Sequence, residues 1–200
     1  MKKTKPRDGE ATKTTVLDAA EKLFAEKGFA GTSIRKISNE CGISDGLILH
    51  HFKTKEELYR QVRERLADRY GRELSENLKF SDDLSEMMRE TMETAYRYFR
   101  ENELHRRISL WSYLEGKTDF AEKEMGITKK MIEMTEVAQE TGYLRDDLDA
   151  IFFPVIVKGA VDYWIRWREM FAKATDVGND DSELDKKFFD QMIRLLKKEK

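Results

Sequence analysis

The chain has 200 residues, of which 40% are hydrophobic and 38% are charged, and its formal net charge at pH 7 is −2. This length permits one or two small domains with a real core. The single cysteine, Cys41, excludes an intrachain disulfide and fits a reducing cytoplasm, which is the expected localisation. No apolar run follows the basic start, and the longest apolar stretch, around residues 150–157, is too short to cross a bilayer. We therefore expect no signal peptide, anchor or membrane partner.

Charge is unevenly distributed along the chain. Residues 1–72 contain 16 Lys and Arg against 11 Asp and Glu, a net charge of +5, whereas residues 73–200 carry a net charge of −7. A basic N-terminal part on an acidic body suits a phosphate-binding head, and chance unevenness is the alternative. Residues 1–11 are polar and basic, and we expect them to form a disordered tail.

The first predicted helices form a helix-turn-helix pattern. A helix from about residue 14 to residue 27 ends at Gly28, and a second helix begins at a cap supplied by Thr32 or Ser33. Gly42 supplies a left-handed backbone for the turn, and Ser44 caps the next helix, residues 44–52. Two helices joined by a short turn with Gly are typical of DNA-binding proteins in which the second helix enters the major groove.

Residues 16–66, VLDAAEKLFAEKGFAGTSIRKISNECGISDGLILHHFKTKEELYRQVRERL, resemble the N-terminal DNA-binding domain of the TetR family of transcriptional regulators. The similarity covers about the first third of the chain and is nearly continuous, which makes it more specific than a bare helix-turn-helix pattern. The resemblance implies a dimeric regulator that binds a palindromic operator in double-stranded DNA and is released by a small ligand.

The predicted DNA contacts follow from this resemblance and from the helix geometry. Arg35 matches a family position that often touches DNA, and Ile48 and Phe52 turn the recognition helix towards the core, which leaves its other face for DNA. Lys55, in the first turn of the fourth helix, is a candidate phosphate contact. The predicted DNA-binding residues are Ser33, Arg35, Ser44, Asp45, Gly46, Leu47, Leu49, His50, His51, Lys53 and Lys55.

The recognition helix departs from the usual family pattern, which is close to S-K-G-T-L-Y-H-Y-F, because this chain has SDGLILHHF. Leu47 and Leu49 can read only thymine methyl groups, which predicts thymines opposite Leu47 or Leu49 in the operator. Asp45 either accepts from cytosine N4 or complements the positive end of its own helix.

A metal site or catalytic centre is not expected. His50 and His51 are adjacent, so they point about 100° apart on a helix and cannot easily share a metal ion. We find no metal-spaced cluster, phosphate-binding Gly loop or nucleophile–base pair, and we expect neither an enzyme nor a cofactor. Cys41 is expected to be a small buried residue, with a redox role as the less favoured alternative.

Apolar periodicity predicts helices through the rest of the chain and therefore an all-α protein of about nine helices. The fourth helix, residues 55–79, links a helix-turn-helix domain, residues 12–54, to an effector-binding and dimerisation domain, residues 80–200. The next helices are expected at about 82–102, 104–116 and 118–141. Two more are expected from 146 to about 173 and from 182 to 198, separated by a loop at 174–181. Pro154 lies inside the eighth helix and should bend it.

Methionines and aromatic residues in the C-terminal part suit a permissive apolar pocket, and they suit an ordinary core equally well. No dedicated charged clamp is visible, which favours a hydrophobic or amphipathic effector. The candidate pocket residues are Met88, Met92, Tyr96, Phe99, Trp111, Met131, Met134, Phe153 and Trp164.

The last two helices predict a homodimer. The eighth helix is apolar nearly all round and the ninth carries too wide an apolar stripe for one neighbour, so two of each can form a four-helix interface. An extra-large monomer core is the alternative. The candidate interface residues are Val157, Val161, Trp164, Phe188, Met192 and Leu195.

The sequence therefore indicates a TetR-like transcriptional regulator, a repressor that is released from its operator by a small and hydrophobic ligand. The main alternative is a sequence-specific DNA-binding regulator without a small-molecule effector, which acts constitutively or under the control of a protein partner.

Overall fold

The structure, a computed structural model, describes residues 6–77, 84–117, 122–175 and 181–198. Those ranges contain nine α-helices, which confirms the all-α prediction, and their one β-type pairing is an isolated bridge between Leu144 and Lys197. No helix within them is long and apolar enough to cross a membrane. The helices are α1 Pro6–Lys27, α2 Ile34–Cys41, α3 Asp45–Phe52, α4 Lys55–Asn77, α5 Leu84–Glu101, α6 Glu103–Leu114, α7 Glu122–Glu140, α8 Phe152–Ala174 and α9 Asp181–Leu196.

Three sequence-based expectations about helix ends were wrong. The helix α1 begins at Pro6, so residues 6–11 are helical and not a disordered tail; residues 1–5 lie outside the described part. Pro is well suited to the first helical position, where its missing N–H has no partner to lose. The helix α8 begins at Phe152 rather than Asp146, so Pro154 lies in the first turn and has no reason to bend the helix. Ala174 still belongs to α8, and Asp181 already belongs to α9; residues 176–180 between them lie outside the description, as do Asp82, Asp83 and Thr118.

The contacts divide the chain into two units that do not follow chain order. Unit 1 comprises residues 1–69 and 102–124, and unit 2 comprises residues 70–101 and 125–200. The helix α6 therefore packs with the helix-turn-helix, a grouping that the linear division at residue 80 did not contain. Two of the three boundaries fall inside α4 and α7, and the third lies between α5 and α6.

Unit 1 has a densely packed aromatic and aliphatic core. Phe24, Ile37, Ile48, Phe52 and Leu58 are completely buried and belong to one cluster that joins α1, α2, α3 and α4. The same cluster includes Ile108 of α6. Each short helix of the motif thus buries its apolar face against α1, which stabilises helices too short to be stable alone.

Unit 2 has a second apolar core that surrounds a buried carboxylate. Asp185 of α9 accepts hydrogen bonds from the hydroxyl of Tyr96 and the indole N–H of Trp164, both at 2.8 Å, and from Nε of Arg168 at 2.7 Å. These donors lie on α5 and α8, so one side chain links three helices. A buried charge with this many donors is the arrangement that makes a carboxylate tolerable in a core.

Candidate nucleic-acid interface

The helix-turn-helix has the caps and the turn that the sequence predicted. Ser33 caps α2 by accepting from the N–H of Lys36 at 3.3 Å, and Ser44 caps α3 by accepting from the N–H of Leu47 at 3.4 Å. Between the two helices, Gly42 has φ 70°, the left-handed conformation that glycine adopts without a Cβ penalty. Local sequence therefore sets the angle at which α3 leaves the core.

The helix α3 presents one apolar face to the core and a different face to solvent. Ile48 and Phe52 are completely buried, whereas the side chains of Leu47 and Leu49 are 42% and 40% exposed. The other predicted contact residues around them are exposed, apart from half-buried Asp45, His51 and Lys55; the exposed ones are Ser33, Arg35, Ser44, Gly46, His50 and Lys53. All eleven predicted contact residues belong to unit 1, and their contact with DNA stays a prediction.

Lys53 occupies a strained backbone position directly after α3. Its φ is 62° and its ψ is −54°, and the N–H of Thr54 donates to the carbonyl of Phe52 at 2.7 Å. These values describe a γ-turn with a positive φ, which is rare and costly for a residue with a side chain. Lys53 is the only non-glycine residue with a positive φ among the described residues. Strain of this kind is concentrated at functional sites.

Lys55 is engaged inside unit 1. Its ammonium group donates to the carbonyl of Phe29 at 2.9 Å and to that of Thr32 at 3.0 Å, and it lies 3.9 Å from the centroid of the Phe29 ring. An ammonium group has three donors, so one remains for a phosphate. The sequence predicted the phosphate contact and missed the structural role, because nothing local indicates that Lys55 reaches the turn between α1 and α2.

The two adjacent histidines do not form part of a metal site in the described ranges. Their ring centroids are 5.5 Å apart and the rings are inclined at 74°. In the part of the chain that the structure describes, no group of three or more His, Cys, Asp or Glu is placed to hold a metal ion. Cys41 is half-buried rather than buried, because it lies at the last position of α2 beside the exposed turn.

The predicted pocket residues do not form one group. Trp111 belongs to unit 1, where its indole N–H donates to the carbonyl of Ala25 at 3.2 Å, so it is in a different unit from the other eight candidates, and its place in a pocket stays a prediction. Periodicity showed that Trp111 points inward but not which helix it meets. The other eight belong to unit 2: Met92, Tyr96 and Phe153 are buried in its core, Met88 and Trp164 pack against it, Phe99 contacts Tyr70, Met131 is half-buried and Met134 is exposed.

The predicted dimer residues are largely used within their own chain. Val161 and Met192 are only 3% and 7% exposed, so their assignment to an interface was wrong: α8 and α9 pack against each other and against α5, and these two side chains face that core. Val157, Trp164 and Phe188 pack against the same core, and Leu195 alone is 54% exposed.

A different face of α8 is apolar and exposed. It contains Phe152, Val155, Tyr163, Trp167 and Met170, at spacings that place them along one side of the helix. An open cleft of about 550 Å³ lies at its C-terminal end and is lined by Arg166, Trp167, Glu169, Met170, Lys173 and Ala174. The sequence predicted an interface on α8, and most of the residues it named lie on the side of that helix that packs against the core of unit 2.

The comparisons with known proteins concern first the N-terminal part. Residues 16–62 match the family model described as "Bacterial regulatory proteins, tetR family", and that segment is the helix-turn-helix just described. Residues 16–62 therefore form a DNA-binding domain of the TetR-family type. Over 83 residues it is 36% identical to the transcriptional regulator UidR of Escherichia coli K12 and to the transcriptional repressor AcnR of Corynebacterium efficiens. These similarities cover 40% and 42% of this chain and 42% of each relative.

Solved structures support the fold over nearly the whole chain. The fatty acid degradation regulator FadR of Bacillus halodurans superposes with a TM-score of 0.73, and the superposition covers 96% of this chain and 97% of that one. The sequence identity is 19%, so this likeness concerns the fold.

Proposed function

We propose that this TetR-family chain is a transcriptional repressor that binds a two-fold operator as a homodimer and is released by a small hydrophobic ligand. The observation that carries the proposal is that α3 presents one exposed face to solvent. Ile48 and Phe52, on its other face, are completely buried and fix the helix to the core of unit 1. The net charge of +5 on residues 1–72 favours contact with phosphates. AcnR, which resembles the N-terminal part of this chain, is a transcriptional repressor.

Leu47 and Leu49 would contribute to operator choice through apolar contact with thymine methyl groups. Substitution of thymine by uracil at each position of a half-site removes one methyl group and leaves base pairing intact. We expect weaker binding at one or two positions, measured by competition between duplexes. If no position responds, the leucines do not read thymine.

The first experiment is selection of duplexes from a random pool by the full-length protein, followed by footprinting of the selected sites over a salt series. We expect a two-fold site with half-sites about one helical turn apart, roughly 34–36 Å, because each subunit supplies one recognition helix. Affinity should fall steeply with salt, since each neutralised phosphate releases counterions. Binding that is indifferent to sequence would contradict the proposal.

We assign the dimer contact to the exposed face of α8. Phe152, Val155, Tyr163 and Trp167 leave apolar surface uncovered, and Gly159 between them has open space where a Cβ would lie, so a second helix can approach closely. A two-fold axis would pair this face with its copy. Val155→Glu should shift sedimentation from dimer to monomer, whereas Val137→Glu on exposed α7 serves as the matched control and should not.

The proposed effector is hydrophobic. Met88 and Met131 are half-buried side chains of unit 2 that can rearrange around an apolar ligand, and the structurally similar FadR is a fatty acid degradation regulator. A ligand present at 100 times its dissociation constant stabilises the folded protein by about 2.7 kcal/mol. A thermal-shift series that compares lipophilic with polar compounds tests this, and an equal response to both would contradict it.

Release of DNA requires that the ligand favours a conformation with lower DNA affinity. A hundredfold loss of affinity corresponds to a coupling of about 2.7 kcal/mol, which is within the usual allosteric range. The coupling is reciprocal, so bound operator must weaken ligand binding by the same factor.

One observation favours a second candidate, a regulator without a small-molecule effector. Met92, Tyr96 and Phe153, three of the side chains expected to line a pocket, are packed in the core of unit 2 with exposures of 1%, 6% and 3%. This candidate predicts that operator binding is unaffected by every compound that shifts the melting temperature.

A further inference from the structure

The turn between α1 and α2 is held on one side by a carboxylate from a distant helix. Glu115, at the C-terminal cap of α6, accepts from the N–H of Phe29 at 2.9 Å through Oε2 and from the N–H of Ala30 at 3.0 Å through Oε1. Each oxygen thus binds one backbone donor, and the bonds are charge-assisted. On the same helix, Arg107 and Trp111 both donate to the carbonyl of Ala25, at 2.8 Å and 3.2 Å.

An ammonium group holds the same turn from its carbonyl side. Lys55 donates to the carbonyls of Phe29 and Thr32, so the peptide groups on both sides of Phe29 bind a charged side chain. Lys117 adds a second cation at 4.0 Å from the centroid of the Phe29 ring. The buried hydroxyl of Thr32 donates to the carbonyls of Leu23 and Gly28, which fixes the end of the turn.

Glu115 is not placed where helix electrostatics favours it. Glu115 lies at the C-terminal end of α6 and reaches the C-terminal end of α1, and both ends carry partial negative charge. Local preferences of this kind are given up at functional sites, where another requirement determines the residue.

Gly28 shows how closely Glu115 approaches. Its φ is 69°, and a Cβ at this position would lie 2.6 Å from Oε1 of Glu115 and 2.8 Å from the ring of Trp111. A glycine is therefore required both by the left-handed backbone and by the contact with α6.

We propose that Glu115 is a positioning residue for operator binding, which fixes the turn that presents α2 and its N-cap Ser33 to DNA. The turn ends at Thr32, and Ser33 and Arg35 follow at the exposed start of α2. A mobile turn would leave the first helix of the motif free to tilt, and recognition requires the contacts of both helices in register. This inference rests on the proposed function.

The decisive variant is Glu115→Gln, because it keeps the shape but replaces one acceptor oxygen by a donor that would face a backbone N–H. Glu26→Gln, on the exposed side of α1 and in the same unit, removes the same charge without touching the turn. Loss of a negative charge alone should strengthen attraction to DNA slightly, so a loss of binding cannot be attributed to charge. All measurements use the full chain, the duplex selected by the wild-type protein and a random duplex of equal length.

We expect Glu115→Gln to lower affinity for the selected duplex about tenfold, the effect of losing one charge-assisted hydrogen bond, with affinity for the random duplex unchanged. Glu26→Gln should bind both duplexes as the wild-type protein does. A merely structural role would lower the melting temperature but leave the ratio of the two affinities unchanged in folded protein. An unchanged ratio in Glu115→Gln therefore overturns the inference.

Amide exchange on the wild-type protein gives a second test that needs no variant. The amides of Phe29 and Ala30 should be protected in the operator complex, and fast exchange there overturns the inference even if Glu115→Gln fails to fold. A failure of the proposed function can be distinguished from a failure of this inference alone. A wild-type protein with no preference between the duplexes refutes the proposed function itself, whereas a normal wild type with an unchanged variant refutes only the role of Glu115.

Discussion

The four N-terminal helices of unit 1 and the helix α8 of unit 2 differ in how completely their apolar side chains are buried. In unit 1 the aromatic and aliphatic residues of the four N-terminal helices are packed into one cluster, with Phe24 and Phe52 completely buried. In unit 2 many apolar side chains only border the core, and Phe152 and Trp167 of α8 are 55% and 47% exposed. The core of the four N-terminal helices is thus closed, whereas α8 of unit 2 retains a row of exposed apolar side chains of the kind that marks an interface.

The largest expected effect is a difference between two phenylalanines, one completely buried in unit 1 and one largely exposed in unit 2. Phe52→Ala should lower the free energy of unfolding by about 3–5 kcal/mol, because it opens a cavity in a core that cannot collapse around it. Phe152→Ala should change the stability of the monomer little and instead weaken self-association. Chemical unfolding and sedimentation of both variants measure this, and equal losses of stability would remove the distinction between the units.

A second comparison concerns the carboxylate inside unit 2. Asp185→Ala leaves Arg168, Tyr96 and Trp164 without their common acceptor, and Arg168 is largely buried beside it, so we expect a loss of about 3 kcal/mol. The matched control on α9 is Asp190→Ala, which breaks a more exposed pair with Arg89 and should cost about 1 kcal/mol or less. Urea unfolding would show whether the core of unit 2 depends on this group; equal costs would contradict it.

A smaller effect is expected at Lys53 in unit 1, where two substitutions should differ in stability but not in DNA binding. Lys53→Gly should raise the free energy of unfolding by about 1 kcal/mol, because glycine relieves the positive φ at a modest cost in chain entropy. Lys53→Ala removes the same ammonium group but keeps the strain, so it should not gain stability. Both variants should weaken DNA binding alike. A stability gain in Lys53→Ala would show that the side chain and not the backbone is responsible.

The smallest expected effect is a fall in the free energy of unfolding at alkaline pH, to which both units contribute. Burial raises the pKa of Tyr70 in unit 2 above its ordinary value, with a further contribution from the neighbouring Tyr98 phenol, and burial also raises the pKa of Tyr59 in unit 1. A raised pKa means that the neutral phenol is favoured in the folded state. The stability it confers is complete below the unfolded pKa of about 10 and is lost as the pH rises through the folded pKa.

We therefore expect unfolding free energy to fall above about pH 10 and to fall less steeply in Tyr70→Phe, which cannot ionise. Thermal unfolding from pH 8 to pH 11 measures both slopes. An identical slope in the variant would show that Tyr70 ionises in the folded protein as readily as in the unfolded one.

Local features of the sequence determined much of the helix-turn-helix in unit 1. The N-caps Ser33 and Ser44 and the left-handed Gly42 are confirmed because capping and turn chemistry depend on residues only a few positions apart. The spacing of Ile48 and Phe52 predicted which face of α3 is buried, and hence which residues of that helix are exposed. The nine helices found among the described residues followed from apolar periodicity in the same way.

Only the tertiary structure decided which residues far apart in the sequence contact each other. The sequence shows that Trp111 and Val161 are large apolar residues of helices, but it cannot show that Trp111 contacts Ala25 in unit 1 or that Val161 faces the core of its own chain. Glu115 binds a turn 85 and 86 residues earlier in the chain, and the sequence around it contains no sign of that contact. Hydrogen bonds between distant segments depend on how whole helices pack, and packing is a property of many residues together, whereas caps and turns are encoded within a few neighbouring residues.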